Sequence, residues 1–371
     1  MTRRQNLGFA LVALAPACAN EPDWDRHELD GLTVLEHFDE QICGGTFAYL
    51  SERLDVLERA TGLPRDPRGL IFYWYVPDAP PEVCGEGTIG CASGREFWSG
   101  LISYSHELGH VHFGRLGQPR PWLSEGMAVM LEDEFVGRSS QTPTELMATS
   151  SWREVDYWSA GNFTRYLRDR YSMPTLLSYY EASHGASVER AIALFPEVFG
   201  DDFATVEADY LALSATPFAG SLSCDQTEIA WDGDIWRYTT ELSCDDADAI
   251  GPSQGFADPE LPTTFRETVT LTAPAGWYSF RVEGAEFAQV YVVRCEQPEY
   301  VVQYNDEPAV VAHLDGGRYR VEMHTFTGFS PEIEVVIERL EYPPLGGVDR
   351  SRPDRPMPRR SCSMFDHVFA D

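Results

Sequence analysis

Lysine is missing altogether from this 371-residue chain: all 28 basic residues are arginine, set against 59 acidic ones, for a net charge of -31. A field of that sign repels phosphate backbones and anionic headgroups, so no nucleic-acid partner is expected. The sequence also lacks any C-x-x-C pair, the spacing that cysteine-held metals and dithiol redox sites use. Its eight cysteines therefore read as disulfide partners, or, if Cys18 carries a lipid, as seven with one thiol left unpaired or shared between chains, and pairing requires an oxidising compartment. The apolar run near the start, Leu7 to Ala17, is about eleven residues long, too short to span a bilayer as a mature anchor.

What is present describes a globular, exported chain. A composition 43% hydrophobic and 12% aromatic at this length suits two ordinary domains with real cores. Arg3 and Arg4, the apolar run and the small residues around Cys18 make residues 1–17 an export signal. Two processing routes stay open. Ala15-Pro16-Ala17 suits ordinary signal cleavage, whereas Cys18 directly after Ala17 is similar to a bacterial lipoprotein box, where the thiol would carry a lipid anchor. The chain then resides in a bacterial envelope or outside the cell. Cys84 and Cys91 bracket the flexible hexapeptide GEGTIG and are expected to pair.

The hydrophobic pattern divides the rest. Residues 18–28 read as a linker, 29–216 as an α+β domain, 221–340 as an all-β sandwich and 341–371 as a Pro/Arg-rich tail. In the first domain, Phe47, Leu50, Leu54, Leu57 and Ala60 fall at helical spacing and stop at Gly62. LIFYWYV (70–76) and REFWSG (95–100) read as strands. Helices are expected over roughly 122–134, 156–171, 174–182, 187–198 and 203–213, which makes the second half of this domain mostly helical. Beyond Ser221 alternation takes over: AGWYSFRV and GGRYRVEM share Gly-x-Tyr-x-apolar-x-apolar, and FAQVYVVRC and IEVVIERL also read as strands.

Chemistry concentrates in SYSHELGHVHFGRLGQPRPWLSEGMAVMLED, residues 103–133. Within a helix, His106 and His110 lie about 40° apart and about 6 Å along the axis, so both imidazoles can reach one ion. Glu107 sits on the flank, badly placed to ligate that ion and well placed to hold a water beside it. His112 is about 200° round from His110 and reads as a core or interface histidine. A catalytic zinc takes three protein ligands and keeps one open position. The metzincin route to a third ligand is closed, because Phe113 and Leu116 stand where it needs Gly and His or Asp.

HExxH followed by W-L-S-E-G-x-A resembles the gluzincin metallopeptidases, the thermolysin and aminopeptidase N group and the peptidase MA-like families. That resemblance implies a thermolysin-like α+β fold, a zinc cofactor held by His106, His110 and Glu125, Glu107 as general base and a peptide or protein substrate. Aminopeptidase N relatives also carry Tyr-x-x-Gly opening a later helix with Tyr-Leu beyond it. Here Tyr157-Trp-Ser-Ala-Gly161 leads to Tyr166-Leu167, with the glycine displaced by one position. By this resemblance Tyr157 inherits the phenol that stabilises the oxyanion. The sandwich is similar to the jelly-roll, pre-peptidase C-terminal modules of secreted bacterial peptidases.

Two departures matter. No Gly-x-Met-Glu-Asn segment precedes the HExxH, so the aminopeptidase anchor for a substrate amino terminus has no counterpart. Val129 occupies the place where thermolysin-like enzymes put an Asp that orients a histidine. Glu132 is open to two readings, a substitute acceptor for that histidine or a solvated surface carboxylate. The alternative to a peptidase is a binding or envelope protein that keeps the fold and uses its sandwich. Retention of Glu107 beside both histidines and Glu125 argues for the enzyme.

Overall fold

The computed structural model describes residues 24–36, 42–74, 81–85, 88, 90–101, 105–132, 135–136, 140–213, 218–219, 224–253, 264–284, 288–295, 300–304, 309–326 and 332–342. The expected signal segment, Cys18 and the Pro/Arg-rich tail with Cys362 lie outside them.

The chain is α+β. A hairpin, β1 (Asp25–Leu29) and β2 (Leu32–Glu36), leads into α1 (Gly44–Thr61), which ends where Gly62 takes a left-handed φ of 70°. There follow β3 (Leu70–Trp74), a single turn α2 (Pro81–Cys84), β4 (Gly90–Ser93) and β5 (Glu96–Ser99). Their sheet has the order β1-β2-β3-β5-β4, parallel at β2/β3 and β3/β5 and antiparallel at both edges. Strand β1 lies largely in the stretch expected to be a linker. Asp25, Arg26, His27 and Glu28 form an edge strand with no apolar alternation to betray it.

Alternate residues Leu32, Val34, Leu70, Phe72, Trp74 and Phe97 bury one face of the sheet in a core shared with α1 and with α3 (His106–Phe113). The helical part continues with α4 (Pro121–Leu131), the short pair β6 (Phe135–Val136), α5 (Pro143–Ala148), α6 (Tyr157–Tyr171), α7 (Met173–Ala182), α8 (Val188–Val198) and α9 (Phe203–Ala212). Each expected helix is present within a few residues. Helix α5 was not foreseen, although Thr142 and Glu145 form a capping box around its start. Strand β7 (Phe218–Ala219) pairs back to β6.

The sandwich contains β8 (Ile235–Glu241), β9 (Ile250–Ser253), β10 (Thr264–Ala273), β11 (Gly276–Gly284), β12 (Gln289–Arg294), β13 (Tyr300–Tyr304), β14 (Val310–Leu314), β15 (Gly317–Phe326) and β16 (Glu332–Leu340). Its sheets run β13-β12-β15-β10-β9 and β14-β11-β16-β8, antiparallel at every recorded pairing. With β9 set aside as an added edge, this is the jelly-roll order, two interleaved Greek keys over one core. Trp236 is wholly inside that core.

The two domains are fastened through α1. Cys43, just before the helix, is bonded to Cys244, and Thr46 Oγ1 and the Gly251 backbone exchange hydrogen bonds of 2.9 and 3.0 Å. The Arg266 guanidinium lies 4.5 Å from the Tyr49 ring centre. Gly45 is required at this contact, because a Cβ there would stand 2.4 Å from the Asp248 carbonyl. The expected Cys84–Cys91 bridge is present, as is Cys224–Cys295. Three disulfides mark a protein that folds in an oxidising compartment, as an exported chain does. No helix among the described residues is long and apolar enough to cross a membrane.

Candidate metal centre

Helix α3 opens at His106 and carries His110 one turn on, their ring centres 4.8 Å apart. A short 3-10 turn and Gly117, whose φ is 125°, reverse the chain, and Pro121 starts α4. His184 backs this reversal, its Nδ1 accepting from Gln118 N at 2.7 Å. Helix α4 returns onto α3 at Gly109, where an added Cβ would touch Ala128 Cα at 3.4 Å. An alanine would fit there at ordinary contact distance, so packing does not by itself require the glycine inside α3.

That approach delivers Glu125 to the histidines. His106 Nε2 is 3.1 Å from His110 Nε2, and Glu125 Oε2 is 3.0 and 3.1 Å from the two nitrogens. A tetrahedral zinc with bonds of about 2.0–2.2 Å has ligand-to-ligand edges of about 3.3–3.5 Å. The triangle therefore fits such an ion with a relaxation of a few tenths of an ångström. The three side chains form one group able to hold a metal ion.

The outer contacts fix which nitrogens face inward. His106 Nδ1 meets Glu132 Oε2 at 2.9 Å, and a carboxylate can only accept, so Nδ1 carries the proton and a neutral ring turns the Nε2 lone pair to the triangle. His110 Nδ1 lies 3.2 Å from Ser124 Oγ. Glu132 is buried, so it is the orienting acceptor and not a solvated surface group. Three inward lone pairs at such separations call for a shared proton or a cation. The charges respond accordingly: burial would lower the His106 pKa, but bonds to Glu125 and Glu132 and their charges leave it well raised. Burial would raise that of Glu125, and the charges and hydrogen bonds of His110 and His106 overcome it, holding the carboxylate ionised.

Glu107 lies beside the triangle, buried against the edge strand β4. A Cβ at Gly90 would come within 2.9 Å of Glu107 Cγ, so only glycine lets the strand pass there. Burial raises the Glu107 pKa, the histidines offset part of this, and Glu125 and Glu132 add to it. Among the described residues nothing hydrogen-bonds its carboxylate. Tyr157, at the start of α6, has its ring 5.4 Å from that of His106 and packs on Val129, with Glu125 close by. Burial, then the charges of Glu125 and Glu107, raise its pKa and keep the phenol protonated.

His106, Glu107, His110, Glu125 and Tyr157 thus come together. Tyr166 does not: its hydroxyl accepts from Arg170 and its ring packs in a cluster with Phe163 and Tyr210. His112 also points elsewhere, bonded to Thr61 Oγ1 at 3.0 Å, and burial lowers its pKa to about 4. Sequence reasoning missed Ser124, although it sits beside Glu125 in the WLSEG phrase, and Gly90. The open side of the triangle is at His110, whose side chain is 15% exposed against 2% for His106.

No family model and no curated protein matches the chain. Among solved structures it is similar to PliG of Salmonella Typhimurium, a periplasmic inhibitor of g-type lysozyme, at 13% identity and a TM-score of 0.20, over 30% of this chain and 95% of that one. It is also similar to aminopeptidase A of Legionella pneumophila in complex with aspartic acid, at 9% identity and a TM-score of 0.34, over 78% of this chain and 33% of that one. Likenesses this slight carry no argument about fold or activity.

Proposed function

We propose that this chain is an exported zinc-dependent metallopeptidase of the gluzincin kind, acting on peptide or protein substrates. The observation that carries the reading is the 3.0–3.1 Å triangle of His106, His110 and Glu125 with Glu107 buried at its side, its carboxylate unengaged among the described residues. His106, His110 and Glu125 would hold the ion, which supplies Lewis acidity to a carbonyl and lowers the pKa of a water toward about 7. Glu107 accepts the proton of the attacking water and returns it to the leaving amine, a task suited to a carboxyl whose proton affinity burial has raised. Tyr157 donates its phenolic proton in a hydrogen bond to the developing oxyanion. The resemblance in HExxH, WLSEG and the Tyr157 segment supports the same roles.

Metal analysis of the purified chain, paired with turnover of a broad peptide mixture, tests this. About one zinc per chain is expected, lost from Glu125→Ala and retained by Glu107→Gln, with turnover nearly abolished in both. A parent that holds no zinc, or a fully active Glu107→Gln, ends the peptidase reading.

A further inference from the structure

The two histidines of the triangle are backed by chemically different groups. Behind His106 stands a carboxylate, Glu132, at 2.9 Å. Behind His110 stands the neutral hydroxyl of Ser124 at 3.2 Å. Glu132 caps the end of α4, its backbone N–H bonded to Ala128 O at 2.8 Å, and the carbonyl just before it, that of Leu131, accepts from the buried Arg53 guanidinium of α1. The carboxylate is therefore fixed at both its backbone and its tip. Val129, one turn past Glu125, spends its place packing against Tyr157 instead.

We infer that Glu132 is a positioning residue that makes His106 the dominant, slowly released ligand of the metal, and that His110, backed among the described residues by the neutral Ser124, is the weaker one. The inference rests on the metal site proposed above. A hydrogen bond from an imidazole N–H to an anion is roughly twice as strong as one to a neutral acceptor. It draws the proton outward and enriches the opposite nitrogen, so the carboxylate strengthens the Nε2 donor as well as fixing the ring plane. A hydroxyl does the second of these and little of the first. Burial runs the same way, since His106 is enclosed and His110 borders the open side.

Zinc competition with a chromophoric chelator on the purified full chain separates the two ligands. Partners of this sort are typically worth about 10–100-fold in metal affinity. Glu132→Gln, which keeps the shape and an acceptor but not the charge, should weaken zinc binding within that range and speed its release. Ser124→Ala should cost clearly less, on the order of a few-fold. Glu132→Asp, which keeps the charge, should retain more affinity than Glu132→Gln. In the cobalt-loaded protein the visible ligand-field bands should move in Glu132→Gln and hold nearly still in Ser124→Ala, a signature that a purely structural role for Glu132 would not give. Zinc affinity unchanged in Glu132→Gln, a Ser124→Ala loss as large as that of Glu132→Gln, or Asp no better than Gln would each overturn the inference while leaving the metal site standing. A parent that binds neither zinc nor cobalt would instead remove the site itself.

Discussion

Replacing Gly126 by Ala tests the packing that places Glu125 beside Tyr157, and it does so independently of any activity. Gly126 lies on α4 against α6, where an added Cβ would stand 2.2 Å from Thr164 Oγ1 and 2.6 Å from the Ala160 carbonyl oxygen. Ordinary contacts begin near 3.5 Å. The hydroxyl can rotate, but the carbonyl belongs to the helix backbone, so relief requires the two helices to part by about 1 Å. Overpacking of this kind costs roughly 1–3 kcal/mol, with the rigid obstacle favouring the upper end. Against it stands the helix propensity gained in going from Gly to Ala, about 1 kcal/mol. The net expectation is a loss of about 2 kcal/mol, or a melting temperature lower by roughly 4–8 °C. Thermal unfolding with and without zinc would show both the loss and a weakened response to metal. Thr164→Ala in the Gly126→Ala background removes the nearer obstacle and leaves the carbonyl, so it should restore only part of the loss. A Gly126→Ala chain as stable as the parent, with full zinc response, would refute the reasoning, because propensity would then be the only term left.

Tyr157→Phe should keep fold and metal and lose about 10²–10³ in kcat with little change in KM, the usual cost of one oxyanion donor. Tyr166→Phe should be near normal in a steady-state peptide assay, since its hydroxyl only accepts from Arg170; the reverse ranking would mean the wrong tyrosine was chosen. In the sandwich, burial raises the Glu267 pKa above its ordinary 4.5, hydrogen bonds from Thr240 and Tyr238 offset part of this, and Asp246 and Asp248 add to it. From about 4.5 up to its folded value the native chain holds a proton that the unfolded chain has released, so stability falls as pH rises through that window. Glu267→Gln should flatten this dependence and be at least as stable at neutral pH, measured by urea midpoints on both sides of the window. A steeper fall in the variant would contradict the assignment.

Legibility followed the physics of each element. Amphipathic helices such as α1 announce themselves by period and by a terminal glycine, and the jelly roll by alternation, because in both the buried face is written into spacing. Strand β1 escaped because a largely exposed edge strand, polar at four of its five positions, carries no such pattern. At the site, His106, Glu107 and His110 are fixed by intrahelical spacing, and Glu125 came through the resemblance of its segment, with Tyr157 carried over the same way. The role of Glu132 depended on tertiary placement: only the fold shows that the end of α4 stops beside His106. Gly90 and Gly126 were similarly silent, since a glycine that admits a neighbouring backbone looks in sequence like any other. The pairing Cys43–Cys244 spans 201 residues and no spacing rule reaches that far.

That long disulfide bears on where the site's rigidity comes from. Helix α1 is bonded to the sandwich at its start through Cys43, Thr46 and the Tyr49–Arg266 stack, and it reaches α4 through Arg53, one residue before Glu132. A site performs only when its ligands are held to about 0.5 Å, and the groups behind them must themselves be held. Among the described residues a continuous set of contacts thus runs from the sandwich through α1 to the end of α4 behind His106. Cutting the chain after the helical part would expose Gly45, Thr46 and Tyr49 and leave Cys43 unpaired, so loss of metal or activity in such a fragment would report a loosened α1 and not a substrate-binding role for the sandwich. Point changes within the full chain, at Arg266 or Thr46, are the perturbations that separate the two.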